Sequence, residues 1–171
     1  VLGLSTGVLA ALRYGRPADH IIRVVISVCL AIPGFWLGLL LIFFFAEVLR
    51  QLPAGGFGID QHLILPALAL GLEPAAGVAR LIRSSLLDVL RLDYVRTATS
   101  HGLPPRIVNW RHALPNALLP AISYLGVQFG HLLGGAVVIE SIFAWPGVGR
   151  IVLASVAVSY THLRAHETGR N

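Results

Sequence analysis

Glu73 and His131 are the residues whose placement first suggests chemistry, because each lies inside a long apolar run. An ionisable group surrounded by hydrocarbon is expensive and faces a cavity or a partner. Functionally, either one, together with Gln128, would line a solute route, with Glu73 attracting a cationic amino terminus. The structural alternative is packing: His131 hydrogen-bonded between helices, Glu73 protonated or paired with Arg80, Gln128 and Asn116 bridging helices. Catalytic patterns are sparse. Gly3-Leu4-Ser5-Thr6-Gly7 fits G-x-S-x-G, but that motif works only between a strand and a helix, and here it sits in an apolar helical stretch. No H-E-x-x-H exists for a metalloprotease, and the single Cys29 lies inside an apolar run with no cysteine or histidine cluster around it. No catalytic residue and no metal site is assigned.

The basic residues speak more clearly. All 13 are arginine, so the chain has no Walker lysine to reach nucleotide phosphates. If ATP drives this protein, another subunit binds it. Six of the arginines fall between Arg80 and Arg111, against two acidic residues, Asp88 and Asp93. Within that block His101-Gly102 and Pro104-Pro105 form a stop–start pair: glycine after one helix, proline at the start of the next. Tyr94, Leu103 and Ile107 are expected as apolar knobs on this loop, with Arg96 and Arg106 as orienting charges, the pattern of a helix that docks in a groove. The bland reading is that the arginines only set topology and meet lipid headgroups.

The elements that position these residues are membrane spans. Apolar residues make up 56% of the chain and charged residues 12%, about half the charged share of soluble domains. Val24–Ala46 and Leu114–Ile139 carry no Asp, Glu or Arg, and a spanning helix needs about 20 apolar residues. Complete spans are expected at 24–48, 63–79 and 114–139, with a partial one at 1–12. Pro33-Gly34 should kink the first of them. Ala18–Arg23 reads as a short polar link, Leu52–Gln61 as an exposed Gly/Pro loop, and Phe143–Arg150 as an interfacial turn. Gly126, Gly130, Gly134 and Gly135 form a small-residue stripe suited to helix packing. Arg13, Arg16 and Arg23 fall on the same face as the 80–112 loop, whereas Arg50 and Arg150 stand alone on the other, so the arginine-rich face is expected to be cytoplasmic. The same arginines sit at span ends rather than on a solvated face, which argues against a nucleic-acid partner.

Four segments resemble the permease subunits of ATP-binding-cassette importers of the dipeptide/oligopeptide/nickel group: Asp93–Arg106, Arg111–Pro120, Gly134–Glu140 and Phe143–Arg150. The family signature is E-A-A, three residues, G, nine residues, I-x-L-P. Ala98, Gly102, Leu114 and Pro115 match it, while Arg96, Thr97 and His112 depart from it but resemble its peptide-transporter variant. The resemblance implies an all-α polytopic bundle of the importer-permease type, truncated at both ends. It also implies a coupling loop in which Arg96, Thr97, Ala98, Gly102, Leu103, Arg106, Leu114 and Pro115 meet a cytoplasmic ATPase. Its implied partners are a second permease, two ATP-binding subunits, an extracytoplasmic substrate-binding protein and the lipid bilayer, with ATP bound by the partners alone. The implied location is a bacterial or archaeal cell (inner) membrane, spanned several times. An intramembrane enzyme using Ser5 or His131, or a passive channel, remains open at this point.

The absence of methionine and the apolar start mark the chain as an expected fragment. Val158–Thr168 matches the translation of a transposase sequencing adapter residue for residue. Val158–Asn171 is therefore read as non-native tail, and its His162 and His166 as no metal pair.

Overall fold

The computed structural model describes residues 1–147 together with Gly149 and Ile151. Val158–Asn171, with His162 and His166, lies outside the described residues. Every regular element among the described residues is helical: α1 (Leu2–Leu12), α2 (Pro17–Ala31), α3 (Gly34–Leu41), α4 (Ile64–Val89), α5 (Asp93–Ser100), α6 (Pro105–Ile107), α7 (Leu114–Ala117) and α8 (Leu119–Ile142). Wider π-helical turns follow α3 at Ile42–Val48 and α6 at Val108–Ala113. Among the described residues two helices are long and apolar enough to cross a membrane, Gln61–Val89 and Leu119–Ile142, and α2 with the Gly34–Val48 helix qualifies as a third if the pair forms one broken span.

Local chemistry accounts for most boundaries. Pro17 opens α2 at the position where its missing N–H costs nothing. Residues 18–23 are therefore the first turns of a helix and not the expected polar link. Pro33 ends α2 by forcing Ile32 into an extended conformation, φ −89° and ψ 121°. Helix α4 continues ten residues beyond the apolar stretch 63–79, because Leu81, Ile82, Leu86 and Val89 keep a helical apolar period among its arginines. Helix α8 ends in a Schellman turn: Trp145 N–H donates to the Glu140 carbonyl at 2.8 Å while Ala144 takes φ 51°.

The chain divides into two compact units, Val1–Pro33 with Gly71–His131, and Gly34–Leu70 with the chain from Leu132 on. The first has a core of Val8 and Ala11 from α1, Ile82, Leu86 and Val89 from α4, Val95 from α5, Val108 and Ala113 from the π turn, and Leu114, Ala117 and Ala121 beyond it. A smaller cluster packs Ile26 of α2 against Ala76 and Ala79 of α4. The second unit centres on Leu65, Ala69, Ile139 and Phe143. Its Gly/Pro loop is pinned: Gly56 N–H donates to the Phe143 carbonyl at 3.0 Å, and Phe57 meets Trp145 with ring centroids 5.4 Å apart.

The first unit also explains the G-x-S-x-G pattern. Gly3 and Gly7 face α4 so closely that a Cβ on Gly3 would strike the Ala75 carbonyl, and one on Gly7 would lie 2.6 Å from the Ala79 carbonyl. The operative motif is therefore small-x-x-x-small helix packing. The Ser5 hydroxyl donates back to the Leu2 carbonyl at 3.0 Å inside its own helix, which leaves it no nucleophile's geometry.

Candidate coupling loop and polar membrane face

Between α4 and α8 the chain forms a short helix, α5, that packs one face on the core. Asp93 at the first turn of α5 suits the helix dipole, and the Thr97 hydroxyl donates to the Asp93 carbonyl at 2.9 Å. Val95 is the anchor: buried, it fixes one face of α5 to the core. Arg96, Thr97, Thr99 and Ser100 are left on exposed positions. Gly102 follows with φ +79°, the left-handed conformation in which a Cβ is penalised. Pro104 then caps α6 in an extended conformation and Pro105 occupies its first turn.

The candidate residues separate into two sets. Arg96, Thr97, Gly102, Arg106 and Pro115 are exposed; Ala98 and Leu103 are half-buried against the core; Leu114 is buried within it. Leu103 therefore departs from its expected role as a projecting knob, because the positive φ of Gly102 turns the chain so that its side chain packs inward. Ile107 keeps an exposed side chain, and Trp110 joins it, 55% exposed between Arg106 and Arg111. The sequence signal for Trp110 was its place among basic residues at a span end, where indoles concentrate.

Tyr94 also does more than project. Asn116 donates from Nδ2 to the Tyr94 hydroxyl at 2.7 Å, and that hydroxyl donates to the His112 carbonyl at 3.3 Å. The link spans the π turn, whose widening has a cause. Pro115 has no N–H for an α-type bond to the Arg111 carbonyl, and the helix adopts i to i+5 bonds before it, with Leu114 N–H donating to Asn109. Tyr94 thereby ties α5 to the start of the next membrane helix. Tyr94→Phe should remove both bonds, loosen the loop by about 1 kcal/mol, and raise amide hydrogen exchange across residues 93–100. Unchanged exchange there would show the tie to be inert.

The second group of candidates is polar and membrane-embedded. Glu73 is exposed on α4, and no ion pair with Arg80 forms among the described residues. On α8, Gln128 is half-buried and His131 exposed. Sequence reasoning missed Tyr124, which shares their face at i, i+4 and i+7. Its hydroxyl end packs directly where a Cβ on Gly77 would be, one turn from Glu73. The spacing of Tyr124 was the available signal, masked by the apolar run around it. The glycine stripe behaves otherwise than expected: a Cβ on Gly126, Gly130 or Gly134 would meet nothing within 4 Å, and only Gly135 approaches a neighbour, Leu70.

The family model for the binding-protein-dependent transport system inner membrane component matches residues 3–161. The chain belongs to that family. Its members are transport components of the membrane and not enzymes. Among its relatives, the glutathione transport system permease protein GsiC of Escherichia coli strain K12 is 42% identical over 156 residues, covering 91% of this chain and 51% of that protein. The GsiC of Shigella flexneri serotype 5b is 41% identical with the same coverage. The di/tripeptide transport system permease protein DppB of Pseudomonas aeruginosa strain UCBPP-PA14 is 40% identical, covering 91% of this chain and 54% of that protein. The chain thus spans about half the length of the curated relatives it matches.

Proposed function

We propose that this sequence forms part of a permease subunit of an ATP-binding-cassette importer, multi-pass in a bacterial inner membrane. The observation that carries the reading is the geometry of α5: one face anchored through Val95, the other exposed, and its end set by the left-handed Gly102. A rigid helix held this way transmits displacement to α4 and α8 instead of bending, which is what docking on a cytoplasmic ATPase requires. The assembly would comprise a second permease, two ATP-binding subunits and an extracytoplasmic binding protein, with no cofactor bound by this chain. The names of the relatives point to short peptides or glutathione as cargo. Glu73 with Tyr124, Gln128 and His131 offers such a solute an anionic group for its amino terminus and hydrogen-bonding partners beyond it.

Orientation and docking are tested together in the full-length permease with Cys29→Ser. A thiol reagent that does not cross membranes should label Gly56→Cys in intact cells, and Ser100→Cys only after permeabilisation. In the assembled transporter Ser100→Cys should cross-link to the ATPase. Labelling of Ser100→Cys in intact cells would invert the topology and remove the docking argument.

A further inference from the structure

Asp19 is the most buried charged residue described, with 1% of its surface exposed, and the coupling loop does not include it. Both its oxygens are occupied. Arg83 donates from Nε to Oδ1 at 2.6 Å and from Nη2 to Oδ2 at 2.9 Å. Gly15 N–H adds a third bond to Oδ2 at 3.1 Å, and Arg23 stands 3.9 Å from Oδ1. The Arg83 guanidinium in turn lies 5.6 Å from the Tyr14 ring centroid. The partners are 64 residues apart: Asp19 is in the first turn of α2, and Arg83 lies six residues before the end of α4, on the half that leads into α5.

We infer that Asp19 is a positioning residue for coupling, whose bidentate contact with Arg83 locks α2 to the coupling-loop end of α4 so that the two helices move together. The reason lies in what else joins them. The surrounding contacts are Ile22, Ile26, Cys29 and Leu30 of α2 against Ala76 and Ala79 of α4, apolar groups whose burial is non-directional. A planar guanidinium on a carboxylate has one geometry, and it is the element here that fixes register. Gly15, at φ +73°, lets the α1–α2 turn close so that its N–H reaches the same carboxylate. Displacement of α5 by a motor would then drive α2 instead of being absorbed by slippage along α4.

The inference rests on the coupling reading above, and the experiment separates the two. The full-length permease, assembled with its ATPase and binding protein in liposomes, carries Asp19→Asn, Arg83→Lys, or the reversed pair Asp19→Arg with Arg83→Asp. Assembly, cross-linking of Ser100→Cys to the ATPase, basal ATP hydrolysis and glutathione or dipeptide moved per ATP are measured. The single variants should assemble, cross-link and hydrolyse ATP at the basal rate, yet move at least about fivefold less solute per ATP. The reversed pair should recover most of that loss. Unchanged solute per ATP in both single variants would overturn the inference, as would a reversed pair no better than they are. Failure of all three to assemble would make the pair a folding element and overturn it too. A missing Ser100→Cys cross-link in the otherwise unsubstituted complex would instead reject the coupling reading.

Discussion

Gly102→Val in the full-length permease should abolish substrate-stimulated ATP hydrolysis while the protein still inserts in the membrane. Space is not the issue, since a Cβ on Gly102 would meet nothing within 4 Å. The cost comes from the backbone: at φ +79° an L side chain pays about 1–2 kcal/mol, and more when β-branched. The chain escapes that strain by rotating Gly102 toward negative φ, which swings Leu103 off the core and re-aims α5. Because the strain is conformational, the substitutions should rank. Gly102→Asn, whose side chain tolerates the left-handed region, should keep most of the stimulation, Gly102→Ala less, and Gly102→Val almost none. Stimulation in Gly102→Val equal to the unsubstituted protein would remove the loop's coupling assignment.

The largest stability loss is expected at the opposite end of the chain. Gly7→Leu places a side chain where even a Cβ would lie 2.6 Å from the Ala79 carbonyl and 2.9 Å from the Ile82 Cβ. Those are backbone and core atoms of a continuous helix, and neither can step aside. Helix α1 must therefore withdraw from α4, uncovering Val8 and Ala11, which belong to the same core as Val95 and Leu114. Overpacking of this kind costs about 1–3 kcal/mol where neighbours can adjust, and α4 has little freedom to do so. The melting midpoint in detergent should fall by several degrees, with Gly7→Ala intermediate. An unchanged midpoint for Gly7→Leu would contradict the close α1–α4 approach.

What the sequence by itself determined is what depends on neighbours in the chain. The break at Pro33, the helix stop at Gly102 and the restart at Pro105 follow from backbone rules acting within a few residues. The apolar runs around α4 and α8 followed from composition and length, and the all-α class with them. The motif residues Ala98, Gly102, Leu114 and Pro115 carried the family resemblance, and the match over residues 3–161 showed the family.

Tertiary structure decided which face each residue uses and which distant partner it meets. Asp19 sits in a stretch that reads as a polar link, and nothing nearby points to Arg83 64 residues away. Gly3 and Gly7 fit a hydrolase pattern that their apolar helical setting already spoke against, and their packing role emerged only with the Ala75 and Ala79 carbonyls lying against them. Leu103 looked like an exposed anchor, yet a single left-handed residue before it turned it inward. Tyr94 meets Asn116 across a π turn that lies between them in the chain. Of the α8 glycines read as a packing seam, Gly126, Gly130 and Gly134 meet nothing within 4 Å in this chain, and Gly135 alone approaches a neighbour, Leu70. Local propensity sets where a helix begins and ends with free energies that neighbouring residues supply. The choice of partner is a long-range pairing of surfaces, and it is made only when whole helices are brought together.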